Sequence, residues 1–147
     1  MSRADSVPPV LARLLGAVNA HDLDALVSCF AADYVNETPA HPHRGFRGNG
    51  QVRRNWAQLL TIADFRADVP RYSLDGDRLW TEWEMSGTRP DGAALLMRGV
   101  VMFVIGADTI RSARFYLEPV EDGSGDVDAH TRRVVGGPPD RTRTTQE

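Results

Sequence analysis

One stretch of the chain limits the possible folds more than any other. Leu95-Leu96-Met97-Arg98-Gly99-Val100-Val101-Met102-Phe103-Val104-Ile105 carries a single charge and is apolar on both alternating faces. Leu95, Met97, Gly99, Val101, Phe103 and Ile105 share one face. Leu96, Val100, Met102 and Val104 share the other, with Arg98 among them. An antiparallel strand with one wet face alternates apolar and polar residues. This strand must instead be covered on both sides. Helices can cover one face. The other calls for a second sheet, a sheet curled over its own back, or a second copy of the chain, and the pattern favours a homodimer packed through sheet faces.

The flanking sequence supplies the rest of the sheet and its helices. After Ala63 apolar residues alternate, giving strands at about 66–74, 78–87, 93–105 and 109–119. They are joined by turn formers, Asp75-Gly76-Asp77, Pro90-Asp91-Gly92 and Gly106-Ala107-Asp108. Before Ala63 the period is helical. A start at Ser6 to Pro9 leads into Val10, Leu11, Leu14, Leu15 and Val18. An Asp22 cap precedes Leu23, Leu26, Val27 and Phe30, and an Asn49 cap precedes Val52, Trp56, Leu59 and Leu60. Residues 33–39 read as a short extended segment, and Pro39, Pro42, Gly45 and Gly48 as a loop. The expected fold is therefore α+β, with three N-terminal helices packed on a strongly curved antiparallel sheet. That domain spans residues 1–120. The segment 121–147, rich in Gly, Pro and charge, is expected to be a mostly disordered tail with at most a weak helical turn near Val127–Val135.

Composition narrows the function. The net charge is −3 with no concentrated basic face, which argues against a nucleic-acid partner. No apolar run reaches the roughly 20 residues of a membrane helix, and Met1–Pro9 shows no signal-peptide pattern, so a cytoplasmic location is expected. All 17 basic residues are Arg, which removes lysine Schiff-base chemistry and a phosphate-loop lysine. Cys29 is the only cysteine, so no disulfide or multi-cysteine zinc site can form within the chain. It reads as a small buried apolar residue rather than a reactive thiol. No glycine-rich cofactor fingerprint or metal loop is present, and no cofactor is expected.

Residues 19–26, NAHDLDAL, with CFAADYV at 29–35, DRLWTEWEMSGT at 77–88 and RGVVMFVIGADTIRSARFYLEP at 98–119, together resemble the SnoaL-like, nuclear transport factor two-like superfamily over about residues 10–120. The resemblance implies a cone-shaped barrel, a curved sheet wrapped around a helix with a pocket between them. Superfamily members include polyketide cyclases, ketosteroid isomerase, epoxide hydrolases, dehydratases and non-catalytic proteins, so it does not fix the function. Carried over residue by residue, the isomerase's base position falls on Thr38, its phenol on Leu14 and its protonated acid on Gly99. All three groups are missing, and a one-residue bulge near Asn36 would bring only Glu37 to the base position. Steroid isomerisation is therefore not expected.

Tyr34-Val35-Asn36-Glu37-Thr38-Pro39-Ala40-His41-Pro42-His43 is the densest polar cluster. At a pocket mouth, Glu37, His41 and His43 become candidate general acids or bases, with Asn36 and Thr38 orienting a carbonyl or hydroxyl. The bland alternative is a solvated loop shaped by its prolines. A metal site from Glu37, His41 and His43 lacks a fourth ligand and has Pro42 in its middle, so none is assigned. Trp56 matches a pocket-facing family position. With Trp83, Met97, Gly99, Val101, Phe115 and Leu117 it gives an apolar ligand-contacting set, or else simply a filled core. Arg114 and Glu118 are expected to pair with Glu84 or Arg98 on the outer sheet face; the resemblance keeps Glu118 as a further candidate acid, since some cyclase-like relatives use an acid on their last strands. The expected function is a small-molecule-pocket protein acting on an apolar substrate as a cofactor-independent cyclase, isomerase or hydratase. The alternative is a non-catalytic ligand-binding or dimerisation module.

Overall fold

The computed structural model describes residues 7–138. Helix α1 (Pro9–Asn19) begins with proline in its first turn, where the missing N–H costs nothing, and buries Val10, Leu11, Leu14, Ala17 and Val18. The NAHD turn that follows is held by its polar side chains. Asn19 donates to the Ala67 carbonyl at 2.9 Å and accepts from the Ala67 N–H at 2.8 Å, pairing like a short strand. His21 adopts a φ of 56° and its Nε2 donates to the Phe65 carbonyl at 2.9 Å. Asp22 then caps α2 (Leu23–Val27) by accepting from the Ala25 N–H. Phe30, at helical spacing from Leu23, Leu26 and Val27, instead opens strand β1 (Phe30–Glu37). A 3-10 turn at Pro42–Arg44 leads to β2 (Phe46–Arg47) and α3 (Asn49–Leu59). Asn49 is the first residue of α3; its cap position is Gly48, whose φ of 89° suits glycine.

The meander follows as β3 (Arg66–Asp75), β4 (Arg78–Thr88), β5 (Ala94–Ile105) and β6 (Ile110–Pro119). β3 lies at an edge of the sheet, where the missing N–H of Pro70 is tolerated, and its register with β4 shifts between Asp68 and Arg71. The whole sheet has six strands in the order β2-β1-β6-β5-β4-β3 and is mixed. This corrects the expectation of a purely antiparallel sheet. β1 runs parallel to β6, pairing Asn36 with Ala113 and Glu37 with Arg114, and so covers the edge that the meander leaves bare. A parallel pair needs a long connection, which the chain between β1 and β6 provides. The sheet also stays open, with β2 and β3 at its two edges and no closure into a barrel.

The inner face of the sheet meets α1 over a sealed core that includes Leu11, Leu14, Val18, Phe65, Leu79, Trp83, Val101 and Phe103. Each large apolar side chain buried there contributes roughly 1.5–3 kcal/mol before entropy is counted. Trp83 is fixed on both sides of its ring: Nε1 donates to Thr81 Oγ1 at 2.6 Å, and the ring meets Phe103 edge-on. Thr81 passes the bond on to the Val101 carbonyl at 2.6 Å, so no polar atom in this part of the core is left bare.

Within the tail assigned from residue 121, Val127–Val135 forms α4, capped by the Asp126 side chain and ended by Gly136 in the left-handed conformation. α4 buries none of its residues, and residues 139–147 of that tail lie outside the described residues. Among the described residues no helix is long and apolar enough to cross a membrane.

Gly99 marks the tightest approach of two strands. Its φ is 154°, and a Cβ there would collide with the Tyr116 carbonyl oxygen and lie 2.7 Å from Leu117 Cα. Gly99→Ala must push β6 away from β5. It is expected to cost about 2 kcal/mol or more in a chemical-denaturation experiment; a loss below about 0.5 kcal/mol would show that the two backbones are free to separate.

Candidate functional site

Beside the sealed core, the inner face opens into a hollow of about 250 Å³ between α3, β1 and the ends of β4, β5 and β6. Strand alternation sends Tyr34, Asn36 and Thr38 of the β1 segment into it. From α3 come Val52, Asn55, Trp56 and Leu59, whose spacing of three and four places them on one helix face. The sheet contributes Met85, Met97, Phe115 and Leu117. Phe30, Phe46 and Arg44 close the remaining sides. The walls are therefore mostly aromatic, aliphatic and thioether, with polar groups contributed by β1, the 3-10 turn and α3.

The aromatic frame is packed ring against ring. Tyr34 is stacked edge-on against Phe30 with ring centroids 4.9 Å apart and lies 6.0 Å from Phe46. Its hydroxyl donates to Asn36 Oδ1 at 2.7 Å. Burial pushes the Tyr34 phenol far above its ordinary pKa, so it stays protonated and serves as a donor. Trp56 meets Phe65 edge-on at 5.9 Å, which ties the wall of the hollow to the core.

Of the residues singled out in the sequence, Asn36, Thr38, Trp56, Met97, Phe115 and Leu117 all line the hollow. Trp83 and Val101 share the inner face but are sealed in the core, 2% and 1% exposed, and do not line it. Gly99, the cross-strand partner of Trp83, is taken up by the contact with β6 and does not line it either. Glu37 alternates onto the opposite face of β1, where its carboxylate stands 3.5 Å from Arg114 Nε. The irregularity in the pairing of β1 with β6 falls between Phe30 and Val35, ahead of Asn36, and leaves Asn36 turned inward. His43 is exposed in the 3-10 turn, with its ring 6.4 Å from that of His41. The three candidate acid–base residues therefore do not converge. Among the described residues no group of three or more His, Cys, Asp or Glu is arranged to hold a metal ion.

His41 has a different partner. Its Nε2 donates to Glu118 Oε1 at 2.5 Å, across a separation of 77 residues. Arg44 Nη1 stands 3.7 Å from the other carboxylate oxygen. Both His41 and Glu118 are partly exposed, and the cluster sits at the rim of the hollow that Arg44 lines. Glu118 was expected to pair with Arg98. Arg98 instead bonds to Glu84, its neighbour on β4, at 3.2 Å, and Arg114 takes Glu37. The parallel approach of β1 to β6 is the cause, since it carries the loop after Glu37 towards Glu118.

Tyr34, Arg44 and Asn55 were missed in the sequence. Tyr34 and Asn36 are two apart on one strand, a spacing that could have flagged the pair. Asn55 is four residues from Gln51 on α3, the separation at which helix side chains meet, and Gln51 Nε2 donates to its Oδ1 at 2.8 Å. Nothing local marks Arg44. Cys29 is fully buried, and desolvation pushes its thiol pKa up against a smaller opposing pull from Arg13, as suits an inert side chain.

Residues 11–113 match the family model of the SnoaL-like domain. No curated protein matches the chain in sequence. Among solved structures, a proposed polyketide cyclase from Sinorhizobium meliloti superposes with a TM-score of 0.62 at 22% identity, over 80% of this chain and 100% of that one. An epoxide hydrolase/cyclase-like enzyme of pyran ring formation in the polyether salinomycin gives 0.66 at 19% identity, over 82% and 95%. An epoxide hydrolase of the LEH-like kind from M. tuberculosis gives 0.63 at 17% identity, over 74% and 80%. At these identities the likeness establishes the fold alone.

Proposed function

Since the chain belongs to the SnoaL-like domain family, we propose that it holds a small, largely apolar molecule in the hollow beside Trp56. One observation carries this reading: a space of about 250 Å³ whose walls are mainly aromatic and apolar, with a few polar groups gathered on β1, the 3-10 turn and α3. That combination suits a flat apolar body oriented by one polar end. The volume lies near the small end of ligand sites, so the molecule is compact. The close approach of β5 and β6 at Gly99 supports a curved cradle around it. The cyclase and epoxide hydrolase names of the similar structures lend the same direction to the reading.

Catalysis on the bound molecule is the second reading, and the His41–Glu118 contact at the rim favours it. A carboxylate that accepts one ring N–H fixes the imidazole and leaves the other nitrogen free to take a proton. Glu37 and His43 have no such support, so the role of base passes to His41 with Glu118 as its orienting partner. Binding without turnover remains the primary reading because, among the described residues, no imidazole or carboxylate lines the hollow itself.

The outer face of the sheet supports a homodimer. Trp80, Val100, Met102 and Tyr116 lie side by side on β4, β5 and β6, and Trp80 and Tyr116 are each 43% exposed. The pairs Arg71–Glu82, Arg98–Glu84 and Arg114–Glu37 flank them. An apolar centre with a charged rim is the anatomy of an interface.

One titration tests the two functional readings together, with 2-acetylnaphthalene as a neutral aromatic ketone. The protein is expected to bind it, and Trp56→Ala to weaken binding at least about tenfold. In deuterated buffer, acid–base turnover predicts methyl-proton exchange faster than in buffer alone, lost in His41→Ala. Binding without accelerated exchange would leave the binding reading and remove the catalytic one. For the dimer, light scattering at micromolar concentration should give twice the chain mass, falling to the single chain in Trp80→Asp; a monomeric unmodified protein contradicts it.

A further inference from the structure

We infer that the molecule held in the hollow carries an anionic acceptor, a carboxylate in the first instance, at its polar end; the inference rests on the reading of the hollow as a small-molecule site. It follows from the direction in which each hydrogen bond around the hollow runs.

On α3, Arg54 donates through Nε and Nη2 to Gln51 Oε1, at 3.2 and 2.7 Å. A guanidinium cannot accept, so the Gln51 oxygen must face Arg54 and its Nε2 must face Asn55. That Nε2 donates to Asn55 Oδ1 at 2.8 Å, which occupies the oxygen of Asn55 and leaves its NH₂ group for the hollow. Asn36 is polarised the same way from the other wall. Its Oδ1 accepts the Tyr34 hydroxyl at 2.7 Å, and its NH₂ has no partner among the described residues. No buried side-chain polar atom is left without a partner, so that NH₂ reaches open space rather than packed atoms.

Arg44 adds the charge. Its guanidinium makes no hydrogen bond among the described residues, since Glu118 Oε2 lies 3.7 Å from Nη1, beyond hydrogen-bond range. Glu118 is meanwhile engaged through its other oxygen by His41. Two amide NH₂ groups and a guanidinium therefore border a space whose lining among the described residues contains no carboxylate, Glu118 standing outside it at the rim, 3.7 Å from Arg44, and the Thr38 hydroxyl can donate as well. An acceptor-rich anion satisfies these groups. A ligand whose polar end only donates would leave both sides unpaired, at a cost. Gln51 is a positioning residue in this scheme: it transmits the fixed polarity of Arg54 to Asn55.

Calorimetric titration of three probes that share one apolar body tests this: 2-naphthoate, 2-acetylnaphthalene and 2-naphthylmethylammonium at neutral pH. Naphthoate is expected to bind at least about tenfold more tightly than the ketone, with the ammonium weakest, as charge-assisted hydrogen bonds predict. Arg44→Gln should abolish the advantage of naphthoate over the ketone, read as the ratio of the two affinities in that variant. Arg44 is half exposed, so this variant is expected to fold, as its circular dichroism should show. Ammonium binding equal to that of naphthoate, or a naphthoate affinity unchanged in Arg44→Gln, would overturn the anionic assignment while ketone binding keeps the hollow reading. Failure of all three to bind would overturn both.

Discussion

The apolar surface on both faces of β5 has to be covered, and most of the architecture follows from how it is covered. On the inner face, Val101 and Phe103 are sealed in the core that α1 completes, while Met97, further along the same face, meets empty space instead. On the outer face, Val100 and Met102 lie between Trp80 and Tyr116. Gly99 divides the inner face of the strand. Its missing side chain lets β6 come close, and the sheet can bend at the boundary between the packed half and the hollow half. Left uncovered, the outer face presents a contiguous apolar patch.

The meander was legible because its signals are local. Period-two alternation and turn residues placed β3 to β6 within a residue or so of their observed ends. The start of β1 was not legible, because Phe30 sits at helical spacing from Leu26 and Val27 and nothing short-range says that the helix has stopped. The parallel docking of β1 on β6 joins residues far apart in sequence, and no single-sequence pattern encodes it. The consequences for the site are direct. Residues that reach the hollow by alternation or helix spacing, such as Asn36, Thr38 and Trp56, could be read from the chain. The pairing of His41 with Glu118 could not, since it is a product of that docking.

Much of the conspicuous polar sequence turns out to serve the fold. Asn19, His21 and Asp22 each spend their side chains on backbone groups of the α1–α2 turn or of the chain leading into β3. Glu37 joins the charged rim of the outer face. The chemistry left for a ligand is quieter: two asparagines whose oxygens are already taken, and an arginine that, among the described residues, has an ion-pair neighbour in Glu118 but no hydrogen-bonded partner. Polarity in this hollow is set by the partners of its two asparagines, Tyr34 beside Asn36 and the Arg54–Gln51 pair behind Asn55.

The central claim is that the inner face is divided between a sealed core and an open hollow, and the three tryptophans report on that division. Trp56 lines the hollow, Trp83 is 2% exposed in the core and Trp80 lies on the outer face. With 5-fluorotryptophan incorporated, a fluorine NMR titration with 2-naphthoate should move the Trp56 resonance and leave those of Trp83 and Trp80 in place. A shift at Trp83, with Trp56 unmoved, would contradict the account.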